Sequence, residues 1–180
     1  MSVIAERGGL RRITIVQGET HVSDETDVVL ATLLGSCVAA CLHDPVRKVG
    51  GINHYLLAEG TATDEQSMQR YGVYAMEVLI NAMLAMGAAR QRLKARIFGG
   101  ASMHSGFRDI GGANVAFARN FLRSENIALV GEDVGGFQAR RVEFRAAHGL
   151  VRCRSVAGTA PPDPVLPVPA STELGEVEFF

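Results

Sequence analysis

The sequence predicts an α+β or layered α/β domain with a mixed β-sheet and two main helices. Three observations predict it. Short apolar, β-branched segments recur between glycine, proline and polar turns. Two stretches carry helical spacing. The strands follow one another locally, with no alternating strand–helix series of the kind that builds a doubly wound sheet. A chain of 180 residues that is 47% hydrophobic suffices for one domain with its own core.

Taken in order, "RRITIVQGE" (11–19) contains a short β-prone run. "DVVLATLLGSCVAACLHD" (27–44) is apolar and broken by Gly35-Ser36, giving two buried strands or one bent one. "HDPVRK" is a turn with Pro45 near its corner, and "VGGINHYLL" (49–57) is the return strand. Residues 58–70 are small and polar and read as a surface loop. A helix follows, with Val73, Met76, Ile80, Met83 and Leu84 at helical spacing and Gly87 as its stop. "LKARIFGG" is a strand closed by Gly99-Gly100. The second helix, "GGANVAFARNFLRSENI", buries Val115, Ala118, Phe121 and Leu122, with Asn126 near its end. "IALVGEDVGG", "ARRVEFRAA" and "GLVRCRSV" are three closing strands. The domain is expected over residues 10–156. Residues 157–180 hold five of the six prolines and are expected to be a disordered, polyproline-like tail, with Val177, Phe179 and Phe180 a terminal apolar patch.

A net charge of −1 offers no basic field for a nucleic acid, and the absence of Trp leaves no obvious stacking platform. No apolar run approaches the ~18 residues of a membrane span, and the N-terminus lacks a signal-peptide core, so the expectation is a cytoplasmic protein with no membrane insertion. Cys37, Cys41 and Cys153 are an odd set, read as reduced thiols.

Cys37, Cys41, His43 and His54 lie close together in the chain. Zinc is one reading, but four residues of extended strand span roughly 13 Å at ~3.3 Å per residue. Two sulfurs that far apart cannot both reach a tetrahedral ion at ~2.3 Å. The same distance forbids a Cys37–Cys41 disulfide. The second reading is a Cys–His pair. Folding the segment about the Pro45–Val46 bond sets Cys37 opposite His54, with Cβ atoms roughly 5 Å apart. A one-residue slip would turn His54 to the other face; a two-residue slip would leave the two as diagonal neighbours on one face. Gly35 and Ser36 then allow a substrate close to the backbone, whose N–H groups can meet a developing oxyanion. The third reading is packing, which suits Cys41, flanked by Ala39, Ala40 and Leu42. Cys153, between Arg152 and Arg154, is either a thiol of lowered pKa or a strand-edge residue.

Four blocks, "LLGSCVAACLHDPVRKVGGINHYLL", "IFGGASM", "IGGANVAFARNFL" and "VGEDVGGFQARRVEF", occur in the order found in the CheD family of bacterial chemotaxis proteins, which residues 13–156 resemble. The resemblance implies a layered α/β sandwich and a chemoreceptor glutamine deamidase. Such an enzyme is a protein-glutamine glutaminase, which converts receptor glutamine side chains to glutamate. Methylglutamate esterase activity is attributed to some members. It implies Cys37 as nucleophile and His54 as its base, with a threonine just before the cysteine as a third member. Thr32 is the nearest threonine, while Ala31 is the other residue that can take that position. The "IFGGASM" block, shared with the family, implies that Gly99, Gly100, Ala101 and Ser102 line the site, with Gly35 and Ser36 as further substrate contacts; the alternative is a tight turn after a strand. A Cys–His thioester mechanism requires neither metal nor organic cofactor.

The implied partners are methyl-accepting chemoreceptor cytoplasmic domains. A binding module acting through a CheC-like phosphatase is the alternative, and a general Cys–His peptidase a third. Glu132 and Asp133 read as a polar turn or as paired carboxylates, and Arg140 and Arg141 as a solvated face or a contact for acidic helices. His21, His104 and His148 read as surface residues.

Overall fold

The computed structural model describes residues 3–5, 9–57, 65–102 and 109–156. In chain order it contains β1 (Val3–Ala5), β2 (Arg11–Thr14), β3 (Thr20–Ser23), β4 (Val28–Leu34), β5 (Val38–Asp44) and β6 (Val49–Tyr55). There follow α1 (Glu65–Ala85), β7 (Lys94–Gly99), α2 (Ile110–Ser124), β8 (Ala128–Val134), β9 (Ala139–Arg145) and β10 (Leu150–Val156), with two short 3-10 turns at Arg90–Arg92 and Ala146–His148.

The strands form two five-stranded sheets rather than one. An outer sheet runs β1-β2-β4-β9-β10 and a central sheet β3-β6-β5-β7-β8. Each is mixed, with one parallel pair: β2–β4 in the outer sheet and β7–β8 in the central one. The β7–β8 pair is joined through α2, a single βαβ unit.

Three layers result. One face of the central sheet (Val38, Ala40, Leu42, Tyr55) packs with Met76, Leu79, Ile80 and Met83 of α1 and Val115, Ala118, Phe121 and Leu122 of α2. Its other face (Ala39, Cys41, Ile52, Phe98) packs with Ile13, Leu30, Leu34, Val142 and Phe144 of the outer sheet. A strand covered on both faces has no solvent side, so β6 is buried along its whole length, its polar Asn53 and His54 included. Gly50 lets the layers close: a Cβ there would stand 2.4 Å from the Ala146 carbonyl oxygen.

The ends of the helices obey local chemistry. Asp109 caps α2 by accepting from the Gly112 N–H at 2.8 Å. Gly87, with φ 87°, terminates the turn after α1 in the left-handed region. The first helix starts at Glu65, so residues 65–70 belong to it and not to the polar loop; Glu, Gln, Met and Arg are good helix formers, and polarity alone does not separate the first turns of a helix from a loop. Residues 58–64, the tail 157–180 and His104 lie outside the described residues.

The β5–β6 hairpin differs from the simple fold about Pro45–Val46. Its loop is residues 45–48, with Asp44 paired to Val49, so Ala39 rather than Cys37 stands opposite His54. The cause is Asp44. Its carboxylate accepts from the N–H groups of Val46 and Arg47 at 2.9 and 3.1 Å, and Lys48 takes φ 57° to close the loop. This moves the pairing by two residues and keeps the Cys37 and His54 positions on one face. Burial of Asp44 would by itself raise its carboxyl pKa, but hydrogen bonds from Arg92 and from the Ala89, Arg47 and Val46 amides outweigh that and hold it well below the usual carboxylate range.

Candidate active site

β4 belongs to the outer sheet and β5 to the central one, so Gly35-Ser36-Cys37 is the crossing between layers. This is the reason for the bend. Thr32 reaches into the interlayer space from one side and His54 from the other, and Cys37 ends the crossing at its rim. All three are buried, at 3%, 7% and 9% exposure.

Thr32 Oγ1 is 2.8 Å from the Ile15 carbonyl oxygen and 2.9 Å from His54 Nδ1. The hydroxyl has one proton. It is donated to Ile15, a pure acceptor, so Oγ1 accepts from Nδ1–H. The Nδ1–H tautomer leaves the lone pair on Nε2, which is buried and has no hydrogen-bond partner. The backbone holds the same ring: His54 N–H donates to the Glu19 carbonyl at 3.0 Å, and Gly18 N–H donates to the His54 carbonyl at 2.8 Å. Desolvation lowers the His54 pKa, against smaller opposing effects of the Ile15 carbonyl and Glu19, so the imidazole is neutral at neutral pH.

The Cys37 Sγ lies 3.5 Å from Gln17 Oε1, to which it donates. The Gly100 N–H donates to the Cys37 carbonyl at 2.7 Å and Ala101 N–H to that of Gly35 at 2.8 Å. Gly99 comes so close that a Cβ would stand 2.2 Å from the Cys37 oxygen, and its φ is 103°. Gly99→Ala should therefore displace the Cys37 backbone and lower turnover about a hundredfold, read as a loss of rate in a protein whose circular dichroism stays native. Gly100 and Ser102 line a cavity of about 410 Å³ together with Val115, Val134, Gly136 and Phe137. Gly35, Ser36 and Gly99 are not among its lining residues; they shape the Cys37 crossing.

Two residues absent from the sequence-based set belong here. Asn114 of α2, fully buried, donates to the Ser36 carbonyl at 2.9 Å and accepts from the Leu57 N–H at 2.8 Å. It ties the residue before Cys37 to the end of β6. The one sequence signal for it is a polar side chain on an otherwise apolar helix face. Gln17 is the other, for which the sequence carries no signal.

The remaining candidates separate from this site. Cys41 is 3% exposed, and burial pushes its thiol up. Cys153 is also pushed up, to about 12, first by burial and then by Asp133, so the flanking arginines do not activate it. Glu132 and Asp133 are paired to separate arginines, Arg119 at 2.6 Å and Arg140 at 2.8 Å. Adjacent on β8, they point to opposite sides and are not a carboxylate pair. Arg140 is buried and also donates to the Gly135 carbonyl, so it is a structural cation; Arg141 is exposed. His148 is exposed and His21 half-buried. No described helix is long and apolar enough to cross a membrane.

The family model described as "CheD chemotactic sensory transduction" matches residues 56–155. A protein of Zymomonas mobilis subsp. mobilis named "Probable chemoreceptor glutamine deamidase CheD" is 58% identical, covering 94% of this chain and 93% of its own. Proteins of the same name from Caulobacter sp. (strain K31) and Rhizobium meliloti are 47% and 44% identical, over 97% and 94% of this chain and 96% of each relative. Among solved structures, a Neisseria meningitidis protein of family-model DUF152 gives a TM-score of 0.45 at 16% identity, over 71% of this chain and 63% of that one. With more than half its length matched by the family model and full-length relatives near 50% identity, this chain belongs to the CheD family.

Proposed function

We propose that this protein is a chemoreceptor glutamine deamidase, a protein-glutamine glutaminase whose nucleophile is Cys37 and whose base is His54. The observation that carries the chemistry is the fixed His54 tautomer: Nδ1–H is held by Thr32, and a bare Nε2 is buried on the same sheet face as Cys37. The names of the full-length relatives supply the substrate class.

Nε2 takes the Cys37 proton as the sulfur attacks the glutamine Cδ. Burial disfavours imidazolium at rest, which supports proton transfer during attack over a standing thiolate–imidazolium pair. The oxyanion needs a donor. Asn114 fixes the Ser36 carbonyl toward α2, and in a planar trans peptide the Cys37 N–H points the opposite way. That N–H is the donor we assign; losing such a donor typically costs about 3 kcal/mol of transition-state stabilisation. His54 then returns the proton to the departing nitrogen and ammonia leaves. Water, deprotonated by the same Nε2, cleaves the thioester to glutamate and thiol. A receptor methyl ester passes through the same thioester with methanol leaving. Substrates on receptor cytoplasmic helices would place the reaction in the cytoplasm.

Thr32 is a positioning residue. Thr32→Val removes the hydroxyl that holds the tautomer and should lower kcat ten- to a hundredfold. Thr32→Ser should restore most of it, whereas a purely packing role would leave Val the better replacement. The function itself is tested by incubating a receptor cytoplasmic fragment with the protein and measuring intact mass. Gains of about 1 Da at defined glutamines are expected, the difference between an amide and an acid; an unchanged or cleaved fragment contradicts the assignment.

A further inference from the structure

A glutamine of this chain's own already lies on the thiol. Gln17 occupies the turn between β2 and β3, and its Oε1 accepts from Cys37 Sγ at 3.5 Å. The turn is anchored on both sides of it. The Val16 N–H donates to the Glu19 carboxylate at 3.0 Å, the Glu19 N–H donates to the Val16 carbonyl at 3.0 Å, and Gly18, at φ 86°, donates to His54's carbonyl. The side chain itself is exposed, so it can swing away while the turn stays. The same turn is hydrogen-bonded to the backbone of His54, whose Nε2 is buried and without a hydrogen-bond partner. The thiol proton is thus directed at the Gln17 carbonyl while the nitrogen suited to receive it lacks a donor.

We propose that Gln17 is a substrate-mimicking gate: its carboxamide holds the Cys37 proton at rest, and an incoming glutamine amide must displace it before that proton turns to His54. The gate rests on the Cys37–His54 reading above for its consequence in turnover, but its resting contact is a property of the free protein. No covalent step is implied; one hydrogen bond is exchanged for another. The group displaced and the group admitted are both primary carboxamides, so the region that accepts Gln17 Oε1 is already suited to an amide.

The test is the rate at which iodoacetamide alkylates Cys37 in the free protein, followed by mass spectrometry of the peptide that contains it, which separates it from Cys41 and Cys153. Gln17→Ala and Gln17→Met should both alkylate roughly three- to tenfold faster than wild type, the range expected for losing one modest hydrogen bond. Methionine keeps the side-chain bulk and removes the carbonyl. Both variants should also show a lower KM for the receptor fragment, because substrate no longer competes with Gln17. Unchanged alkylation in both variants would overturn the gate, and acceleration in Ala but not Met would replace it with simple steric cover. Faster alkylation in variants of a protein that converts no receptor glutamine would sustain the gate while removing the proposed activity. Normal conversion with unaltered alkylation would do the reverse.

Discussion

Cys37→Ala protein should convert no receptor glutamine, with turnover reduced about 10⁴-fold or more. The expectation is large because the sulfur is the only atom proposed to bond to the substrate, and an alanine methyl has no alternative route. It should also be clean. Cys37 sits at the rim of the interlayer core, where loss of one sulfur costs about 1 kcal/mol of stability, so the variant should fold and melt close to wild type. Cys41 cannot substitute, being deep between the sheets with a thiol that burial keeps protonated. Conversion by the variant at a tenth of the wild-type rate would be incompatible with a Cys37 nucleophile.

His54→Gln should produce the second largest loss, about 10³-fold in kcat, since glutamine fills most of the volume but cannot accept and return a proton. The pH profile gives a separate reading. Burial lowers the His54 pKa from 6.5, so the neutral base persists into mildly acidic solution. The acid limb of the wild-type rate should therefore fall below pH 6.5, and a limb above that value would indicate an imidazolium stabilised at rest. The linkage to stability has the same sign. In the unfolded chain the ring protonates near its ordinary value while the folded state resists, so this contribution is complete above pH 6.5 and is lost as pH falls below it. His21 and His43, also lowered by burial, act in the same direction on stability. Rate, rather than melting temperature, is what isolates His54.

The fold class was legible because periodicity carries it. The apolar faces of both helices and the strands after Asp27 follow directly from residue type and spacing. What escaped were short or covered elements. β1 has only three residues and β3 only four, too few to establish a period. The division into two sheets escaped because β4 and β5 are both apolar and adjacent in sequence, and nothing in Gly35-Ser36 distinguishes a bend within a sheet from a crossing between two. The hairpin register depended on Asp44 capping its own loop, a carboxylate–backbone contact that a midpoint count ignores.

The candidate site divides along the same line. Cys37 and His54 stand out as reactive residue types in an apolar hairpin, and family resemblance adds Thr32. Their arrangement depends on layers meeting: Thr32 comes from the outer sheet, His54 from the central one, and Asn114 from a helix on the far side of that sheet. Contacts between residues 22, 78 and 20 positions apart, as in Thr32–His54, Ser36–Asn114 and Gln17–Cys37, have no local sequence pattern. Gln17 is the extreme case, an ordinary turn residue given meaning only by what lies beneath it.

The most direct measurement is to quench wild-type protein in acid during turnover with a receptor fragment and map covalent adducts by peptide mass. The expected result is a thioester on Cys37 whose mass is that of the peptide plus substrate less ammonia, absent from Cys41 and Cys153 and abolished in Cys37→Ala. Rapid conversion of receptor glutamines with an adduct on another residue, or with full activity retained after Cys37 is blocked, would contradict it.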